Sequence, residues 1–278
     1  MKTYSVVMLD IDGTLVDSNM QISANTKRLL KRLEKRGIPI VLCSARAPSG
    51  VELVENQAGL KSPIVCYGGG LILDENRAIL EDRSIDRESA VGCKRFVLDN
   101  FPGITVCSYI YDVWLVDDTD DPYIRLLIER NSTSTAVVGD LETALRTTSG
   151  AHKLMCMGAP NKIQRVQMAA QEKFPELEFV RSGDIFLEVI RKGVSKFTAM
   201  NCIRDYYHVD LEEIVAIGDY YVDIEMLRHA GLGIAMGNAP DEVKRAAARV
   251  TASNDEEGVY IALKAVRFQP HSILLPHR

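Results

Sequence analysis

The chain has 278 residues, 46% hydrophobic and 26% charged, which is an ordinary globular composition with enough apolar material for one or two folded domains. Asp and Glu outnumber Lys and Arg by 38 to 33, giving a formal net charge of -5, so no global basic field exists to hold nucleic acid or an anionic membrane. An anionic ligand must be bound by local features instead.

The ends and the cysteines of the chain predict its compartment. Only a short apolar run precedes the first acidic residue, and no stretch approaches the length of a membrane span. The six cysteines are scattered without metal-ligand spacing, which favours reduced thiols. We expect a cytoplasmic protein, a monomer or small homo-oligomer, with neither a membrane nor a nucleic acid as partner.

The first part of the chain alternates apolar runs with helical patterns. Strands are predicted over YSVVML, IPIVLCS and PIVCY, and helices over ISANTKRLLKRLEKRG and GVELVENQA. Ser23 is the expected N-cap of the first helix and Gly37 its C-terminal stop. Continuous apolar strands separated by helices indicate a parallel sheet that is covered on both faces.

The middle of the chain has a different pattern. From about Asp82 to Glu188 the strands look shorter and more alternating, as in ITVCSYI, DVWLVDD, HKLMCMG and LEFVRSG, with the helical segment NKIQRVQMAAQEKF among them. This predicts a second α+β module inserted into the first, with the glycine-containing segments 68–70 and 191–193 near its two connections.

The strand and helix alternation then resumes to the end, through SKFTAMNCIRDYY, IVAIG, DIEMLRHAG, LGIAMG and PDEVKRAAA. The predicted fold class is therefore α/β, a Rossmann-like doubly wound parallel sheet core with an inserted α+β cap domain. We expect the core to consist of residues 1–82 and 189–278, and the inserted domain to consist of residues 83–188.

The first predicted strand ends in two aspartates, in the segment VVMLDIDGT. Ligands of a doubly wound sheet bind beyond the carboxyl ends of its strands, where Asp10 is expected. A carboxylate there can take up a phosphoryl group as a nucleophile, and Asp12 can protonate the leaving oxygen and later deprotonate water. Alone, the same pattern also fits a turn or part of a calcium loop.

Other polar residues fall at the same predicted edge. Carboxylates repel an incoming phosphate, so the site needs a cation, and hard oxygen ligands such as Asp219 and Asp223 select magnesium. Lys196 begins a helix, where a lysine and free N–H groups can face an anion, and Ser44 ends a strand with a hydroxyl for a phosphate oxygen. A lone lysine or serine is more often a solvated charge or a cap. The prediction of a phosphate site therefore depends on the common location of these residues at one edge of the predicted sheet.

Together these segments resemble the haloacid dehalogenase superfamily of phosphotransferases, and specifically its Cof-type phosphatases with a class II, subtype B cap. The likeness lies in DIDGT at 10–14, Ser44 in CSAR, Lys196 in KGVSK and GDYYVD at 218–223, and it continues through AGLGIAMGNAPDEVKRAA and VTASNDEEGV. The interval between Ser44 and Lys196 has room for the cap, whereas the short interval before Ser44 does not. The resemblance implies that this cap, residues 83–188, sets substrate specificity.

The resemblance implies a role for each matched residue. Asp10 would be the nucleophile and Asp12 the general acid and base. Thr14 would help to position their loop and the phosphate, and Ser44 and Lys196 would bind the phosphoryl group.

The resemblance also implies a magnesium ion as cofactor. Asp10, the backbone carbonyl of Asp12, and Asp219 would hold it, with Asp223 supporting through water or through Lys196. Arg46 would face the phosphate or the substrate, although a surface ion pair is an equally good interpretation.

Two positions depart from the family pattern. Val222, in the segment GDYYVD, stands where the family usually has an asparagine. Gly68 stands where asparagine is common after the third predicted strand. Neither is a nucleophile, an acid or a direct metal ligand in the family. The departures are compatible with an enzyme, but they weaken the inference that it turns over efficiently or shares the substrate of its relatives.

The leading hypothesis is a magnesium-dependent phosphatase that hydrolyses small phosphate monoesters, such as sugar phosphates, phosphorylated cofactors or nucleotides, through an aspartyl-phosphate at Asp10. The alternatives are a phosphosugar mutase-like phosphotransferase and a catalytically weakened member of the fold that binds or regulates. In the cap, core packing or solvent exposure is the better interpretation of any one candidate pocket residue. These candidates are Trp114, Tyr109, Tyr111, His152, Lys153 and Asp184.

Overall fold

The structure is a computed structural model that describes residues 2–130 and 135–270. The chain divides into two compact units. The core unit comprises Met1–Arg46, Val51–Glu81 and Ser195–Arg278, and the inserted unit comprises Ala47–Gly50 and Asp82–Val194. Among the helices of the described residues, none has the length and apolar character needed to cross a membrane.

Short strands are spread over both units. In chain order they are β1 (Val6–Asp10), β2 (Ile40–Cys43), β3 (Ile64–Cys66), β4 (Leu71–Leu73), β5 (Ile79–Asp82), β6 (Ile85–Asp86), β7 (Thr105–Ile110), β8 (Val113–Val116), β9 (Ala136–Val138), β10 (Gly150–Ala151), β11 (Lys153–Met157), β12 (Leu177–Arg181), β13 (Phe186–Arg191), β14 (Ile214–Gly218), β15 (Leu232–Ala235) and β16 (Arg249–Val250).

The α-helices and short 3-10 helices complete the secondary structure. The α-helices are α1 (Ala24–Lys35), α2 (Pro48–Ala58), α3 (Arg87–Asn100), α4 (Pro122–Arg130), α5 (Leu141–Ala144), α6 (Pro160–Lys173), α7 (Lys196–Tyr207), α8 (Ile224–His229), α9 (Asp241–Ala246) and α10 (Gly258–Lys264). The 3-10 helices are Tyr67–Gly69, Leu211–Glu213, Tyr221–Asp223 and Asn254–Glu256.

The core unit contains a mostly parallel sheet. Within the described residues its strand order is β16-β15-β14-β1-β2-β3-β4-β5, and every pairing from β16 to β3 is parallel. Only at β3 and β4 does an antiparallel pairing begin. The predicted α/β class with a doubly wound parallel sheet is confirmed.

Buried apolar side chains explain why these segments fold as they do. All five residues of β1 and all four of β2 are buried, as expected for strands covered on both faces. One face packs Val6 and Met8 against Met200 of α7 and Met226 of α8. On the strand β1, Val7 and Leu9 point to the opposite face because side chains alternate along a strand.

Helix α1 begins where the sequence predicted. The Ser23 hydroxyl accepts a hydrogen bond from the backbone N–H of Thr26 at 3.1 Å, so Ser23 is the N-cap. The helix buries Leu29, Leu30 and Leu33 on one stripe and packs against β2 and α10.

The inserted unit is an α+β module. Its main sheet has the order β12-β13-β11-β7-β8-β9 in the described residues. The pairings among β12, β13, β11, β7 and β8 are antiparallel, and only β8 with β9 is parallel. Helices α3 and α6 bury Cys93, Val97, Ile163 and Val166 in the core of this unit.

The borders of the inserted unit differ from the predicted ones in two details. Strand β13 pairs with β11 and β12, so this unit extends to Val194 rather than ending at 188. The glycines 68–70 do not mark a connection, because β4 and β5 follow them within the core sheet. The glycines instead form the turn between the antiparallel strands β3 and β4. In the sequence alone, a run of glycines suggests a linker.

Candidate active site

Four polar residues lie at the carboxyl edge of the core sheet or at the start of a neighbouring helix. Asp10 is the last residue of β1, Ser44 directly follows β2, and Asp219 directly follows β14. Lys196 is the first residue of α7. The parallel register of β14, β1 and β2 places the ends of these strands side by side, which is where doubly wound sheets bind ligands.

Lys196 bridges two of the carboxylates. Its Nζ atom contacts Asp10 Oδ1 and lies 2.6 Å from Asp223 Oδ1, and all three side chains are buried. Burial alone would lower the pKa of Lys196, but the carboxylates of Asp10 and Asp223 outweigh it and raise that pKa above its ordinary value. The lysine is therefore a fixed positive charge beside Asp10.

Asp10 itself is held in a low-dielectric environment. Burial raises its pKa well above the ordinary value, and the nearby Asp223 and Asp219 charges act in the same direction, whereas the charge of Lys196 opposes them. Three carboxylates crowd together, since one oxygen each of Asp10, Asp219 and Asp223 lies within 4.8 Å of the others. One lysine does not balance three carboxylates, so the cluster favours a further cation.

The backbone and side chains around Asp219 and Asp223 fix their orientations. Asp219 Oδ1 accepts a hydrogen bond from Thr14 Oγ1 at 2.9 Å, and its Oδ2 accepts one from Asn238 Nδ2 at 3.3 Å. Asp223 Oδ2 accepts the backbone N–H groups of Asp219 and Tyr220 at 3.0 Å each. Burial raises the pKa of Asp219, and the hydrogen bond from Thr14 opposes that rise.

The donor set fits a small hard cation. Asp10, Asp219 and Asp223 present oxygen atoms only, which magnesium prefers. Asp10 and Asp219 are the better candidates for direct ligands, because Asp223 is fully buried and accepts three hydrogen bonds, one from Lys196 and two from backbone N–H groups, whereas each oxygen of Asp219 accepts one. Asp223 instead orients Lys196 and the turn that carries Asp219.

Gly13 allows the loop after β1 to approach Asp219. Its φ of +78° lies in the left-handed region, and a Cβ atom there would lie 2.9 Å from Asp219 Cγ and nearer still to Oδ2. A side chain at this position would displace the Asp219 carboxylate. The glycine of the DIDGT segment is therefore required by space as well as by backbone conformation.

Asp12 is more exposed than Asp10, Asp219 and Asp223. Its side chain is 53% exposed and forms a two-pronged ion pair with Arg46, from Nε to Oδ2 at 3.0 Å and from Nη2 to Oδ1 at 2.5 Å. Arg46 therefore forms an ion pair with Asp12, and its contact with a phosphate or substrate stays a prediction.

Ser44 is buried and oriented by its neighbours. Its hydroxyl oxygen accepts the backbone N–H of Arg46 at 3.2 Å, and its carbonyl accepts the N–H of Gly68 at 2.8 Å. With that acceptor position filled, the hydroxyl proton of Ser44 is free to point to a ligand oxygen.

The two departures from the family pattern have different surroundings. Val222 is 55% exposed and lies between Asp219 and Asp223 in a 3-10 turn. Gly68 has a φ of +65° with nothing within 4 Å of a Cβ position. An asparagine has room at Gly68.

Asn238 was missed by the sequence reasoning as a site residue. Its amide donates to the carbonyl of Gly13 at 2.9 Å as well as to Asp219, so it connects the segment DIDGT with the segment GDYYVD. In the sequence, the segment AMGNAP after β15 contributed only to the family resemblance. The signal that could have identified Asn238 is its position, since it is a polar residue shortly after the end of β15, the strand that pairs with β14.

The candidate pocket residues of the inserted unit have mixed surroundings. Trp114 is 1% exposed and stacks on Tyr109 at an interplanar angle of 4°, and Lys153 lies over the Tyr109 ring and near Glu188. The ring of His152 accepts the N–H of Tyr111 at 3.0 Å. Asp184 is exposed.

Comparison with known proteins gives the family. The sequence model of the haloacid dehalogenase-like hydrolases matches residues 7–263, and the motifs that it spans form the cluster described above. This chain belongs to that family, and the predicted resemblance to its Cof-type phosphatases is confirmed.

Curated relatives cover nearly the whole chain. A Haemophilus influenzae protein with a provisional phosphatase name is 35% identical over 94% of this chain and 97% of its own. The 5-amino-6-(5-phospho-D-ribitylamino)uracil phosphatase YitU of Bacillus subtilis is 29% identical over 93% of this chain and 96% of its own. These likenesses support a phosphatase that acts on phosphate esters.

Solved structures share the fold. A Thermotoga maritima protein superposes with a TM-score of 0.88 at 26% identity, covering 96% of this chain and 99% of that chain. A haloacid dehalogenase-like hydrolase from Bacteroides thetaiotaomicron gives 0.85 at 27%, covering 94% and 99%.

Proposed function

We propose that this protein is a magnesium-dependent phosphatase that hydrolyses small phosphate monoesters through an aspartyl-phosphate at Asp10. The observation that carries the proposal is the cluster in which Lys196 contacts Asp10 and Asp223 while Asp219 lies beside them. A buried carboxylate paired with a lysine, in an oxygen-rich site at a strand end, suits nucleophilic attack on phosphorus.

In the first step a carboxylate oxygen of Asp10 attacks the phosphorus atom, and the bond from phosphorus to the ester oxygen breaks. The leaving oxygen takes a proton from the carboxyl group of Asp12. Lys196 and the hydroxyl of Ser44 stabilise the negative charge on the phosphoryl oxygens, which is the main demand of phosphoryl transfer.

In the second step a water molecule attacks phosphorus, and the bond from phosphorus to Asp10 breaks. Asp12, now ionised, takes the proton from that water, and inorganic phosphate leaves. Asp10, Asp219 and the carbonyl of Asp12 would hold the magnesium ion. When bound, this ion would neutralise charge on the carboxylates and the phosphoryl oxygens.

The substrate is proposed as a small phosphorylated metabolite. Three Bacillus subtilis relatives at 29%, 26% and 24% identity carry the name 5-amino-6-(5-phospho-D-ribitylamino)uracil phosphatase, so a phosphorylated sugar alcohol joined to a pyrimidine belongs in any panel. The inserted unit is proposed to select among such esters, since it is the part of the chain outside the phosphate-binding motifs.

The test is phosphate release by the purified protein across sugar phosphates, nucleotides, pyridoxal phosphate, a phosphoribityl pyrimidine and an aryl phosphate, first with magnesium and then with a chelator. We expect release that needs magnesium, is abolished by the chelator and returns when magnesium is added back. The Asp10→Asn variant should release no phosphate from any of these esters.

Other outcomes point to other functions. An isomerised sugar phosphate without net phosphate would indicate a mutase, and saturable binding without turnover would indicate a binding protein. Unchanged phosphate release by Asp10→Asn would remove Asp10 as the nucleophile.

A further inference from the structure

Asp12 depends on one residue for its orientation. More than half of its side chain is exposed, and both hydrogen bonds that its carboxylate accepts from the described residues come from Arg46. An exposed aspartate without such a partner samples several rotamers in water. A proton transferred to a leaving oxygen requires that the donor stay within hydrogen-bond reach of it.

Arg46 is well suited to hold a carboxylate in place. Its side chain is only 22% exposed, its backbone N–H donates to Ser44 Oγ at 3.2 Å, and its carbonyl accepts the N–H of Tyr67 at 3.0 Å. A planar guanidinium that meets both oxygens of a carboxylate fixes direction as well as distance. The same backbone segment therefore orients both the phosphate-binding hydroxyl of Ser44 and the side chain that holds Asp12.

We propose that Arg46 is a positioning residue that holds the Asp12 carboxyl group in place for proton transfer to the leaving oxygen, rather than a residue that binds the phosphoryl group. This inference rests on the proposed function, because it concerns the proton donor of that reaction. A guanidinium N–H can bond an oxygen of the carboxyl group in either of its protonation states, so a contact between Arg46 and Asp12 is available in both steps.

The consequence differs between two kinds of ester. When an alkyl phosphate transfers its phosphoryl group to Asp10, the departing alkoxide must take the proton from Asp12. When 4-nitrophenyl phosphate does so, the phenolate leaves as a stable anion and needs no proton. Loss of Arg46 should therefore slow the first reaction far more than the second.

The experiment compares kcat/KM, which reports the steps up to phosphoryl transfer, for one alkyl phosphate that the enzyme hydrolyses and for 4-nitrophenyl phosphate. In Arg46→Gln we expect a fall of about 10-fold or more for the alkyl ester and less than about 3-fold for the aryl ester, a part of the roughly 100-fold or larger contribution of general acid catalysis. Arg46→Lys should recover part of the loss, since it restores the charge without the two-pronged geometry.

A double-mutant comparison separates positioning from phosphate binding. In an Asp12→Asn background, Arg46→Gln should cause no further loss that depends on the leaving group. Equal losses for both esters, repeated in the Asp12→Asn background, would show that Arg46 binds the phosphoryl group and would overturn the inference.

Two controls keep this result distinct from a failure of the proposed function. Arg204→Gln removes an exposed ion pair with Asp205 and should leave kcat/KM unchanged for both the alkyl ester and 4-nitrophenyl phosphate. Phosphate release that Asp10→Asn does not abolish would overturn the proposed function and the inference with it. Release that Asp10→Asn abolishes, together with equal Arg46→Gln effects on both esters, would overturn the inference alone.

Discussion

At the scale of single residues, the site is a group of buried charges that compensate one another incompletely. Lys196 contacts Asp10 and Asp223, and Asp219 adds a third carboxylate nearby. Removing one member of a buried ion pair leaves an uncompensated charge, which is strongly destabilising. We therefore expect any substitution of Lys196 to lower the free energy of unfolding, which would obscure its effect on activity. Substitutions of the glycines that shape the site give a cleaner test.

Gly13 and Gly68 form a matched pair, because both have a positive φ but only Gly13 faces a side chain, that of Asp219. We expect Gly13→Ala to lower the free energy of unfolding by on the order of 2 kcal/mol and to raise the magnesium concentration needed for half-maximal activity. Gly68→Ala should cost only about 1 kcal/mol of backbone strain.

Urea unfolding and a magnesium titration of activity make this comparison. Gly68→Asn should be milder than Gly68→Ala, because asparagine adopts the left-handed conformation more readily. Equal magnesium dependence for Gly13→Ala and Gly68→Ala would contradict the contact with Asp219.

At the scale of elements, the strand ends that carry the site were predictable and several partners were not. Asp10, Ser44 and Asp219 follow continuous apolar runs, so local pattern alone located them. The pairing of Asp12 with Arg46 and of Asn238 with Gly13 joins residues far apart in the sequence. Such contacts depend on loop conformations that have no periodicity.

The border of the inserted unit shows the same limit. Strand β13, in the segment FLEVIR, reads as an apolar run next to the return into the core. Which sheet it joins is decided by its pairing with β11 and β12, and hydrophobic pattern does not encode a partner strand. The predicted border at 188 therefore fell inside that strand.

Helix α7 links folding to the site, because its N-cap Ser195 directly precedes Lys196. Ser195 Oγ accepts the N–H of Thr198 at 3.1 Å, and Thr198 Oγ1 accepts the N–H of Ser195 at 3.0 Å. We expect Ser195→Ala to lower the free energy of unfolding by about 1 kcal/mol and to lower kcat by loosening the position of Lys196.

Ser23→Ala is the matched control, since Ser23 caps α1 by the same kind of bond. It should cost a similar free energy of unfolding, also about 1 kcal/mol, without a change in kcat. If both variants had the same kcat, the cap of α7 would have no part in placing Lys196.

At the scale of the whole molecule, each unit has its own core, and the only tryptophan of the chain, Trp114, is buried in the inserted unit. Its fluorescence therefore reports the unfolding of that unit. The inserted unit also buries His152, whose Nε2 lies 3.4 Å from Asp82 Oδ1. Burial lowers the pKa of His152 below its ordinary 6.5, outweighing the opposite effect of Asp82.

The sign of the resulting pH dependence follows from linkage. Because the folded state disfavours the protonated ring, the unfolded chain binds more protons below the ordinary pKa of His152. The stabilising contribution is complete above a pH of about 6.5 and is lost as the pH falls from there toward the folded-state pKa. The pKa of Asp82 is lowered below the ordinary value of an aspartate. Its contribution to the pH dependence of stability therefore falls at a more acidic pH than that of His152.

We expect the midpoint of urea unfolding, followed by Trp114 fluorescence, to fall between about pH 7.5 and about pH 5.5 more steeply in the wild-type protein than in His152→Gln, which keeps an acceptor for the N–H of Tyr111 and does not titrate. The same slope in both proteins would mean that other groups set the pH dependence in this range.

The most direct test of the central claim is a search for a phosphoryl group on Asp10. The Asp12→Asn variant, incubated with magnesium and 4-nitrophenyl phosphate and then quenched in acid, lacks the base for the second step and should accumulate the aspartyl-phosphate. Peptide mass analysis should find the added phosphoryl group on the peptide that contains Asp10, and no such group when Asp10→Asn is combined with Asp12→Asn. Phosphate release with an unmodified Asp10 peptide, or undiminished release by Asp10→Asn, would contradict the account.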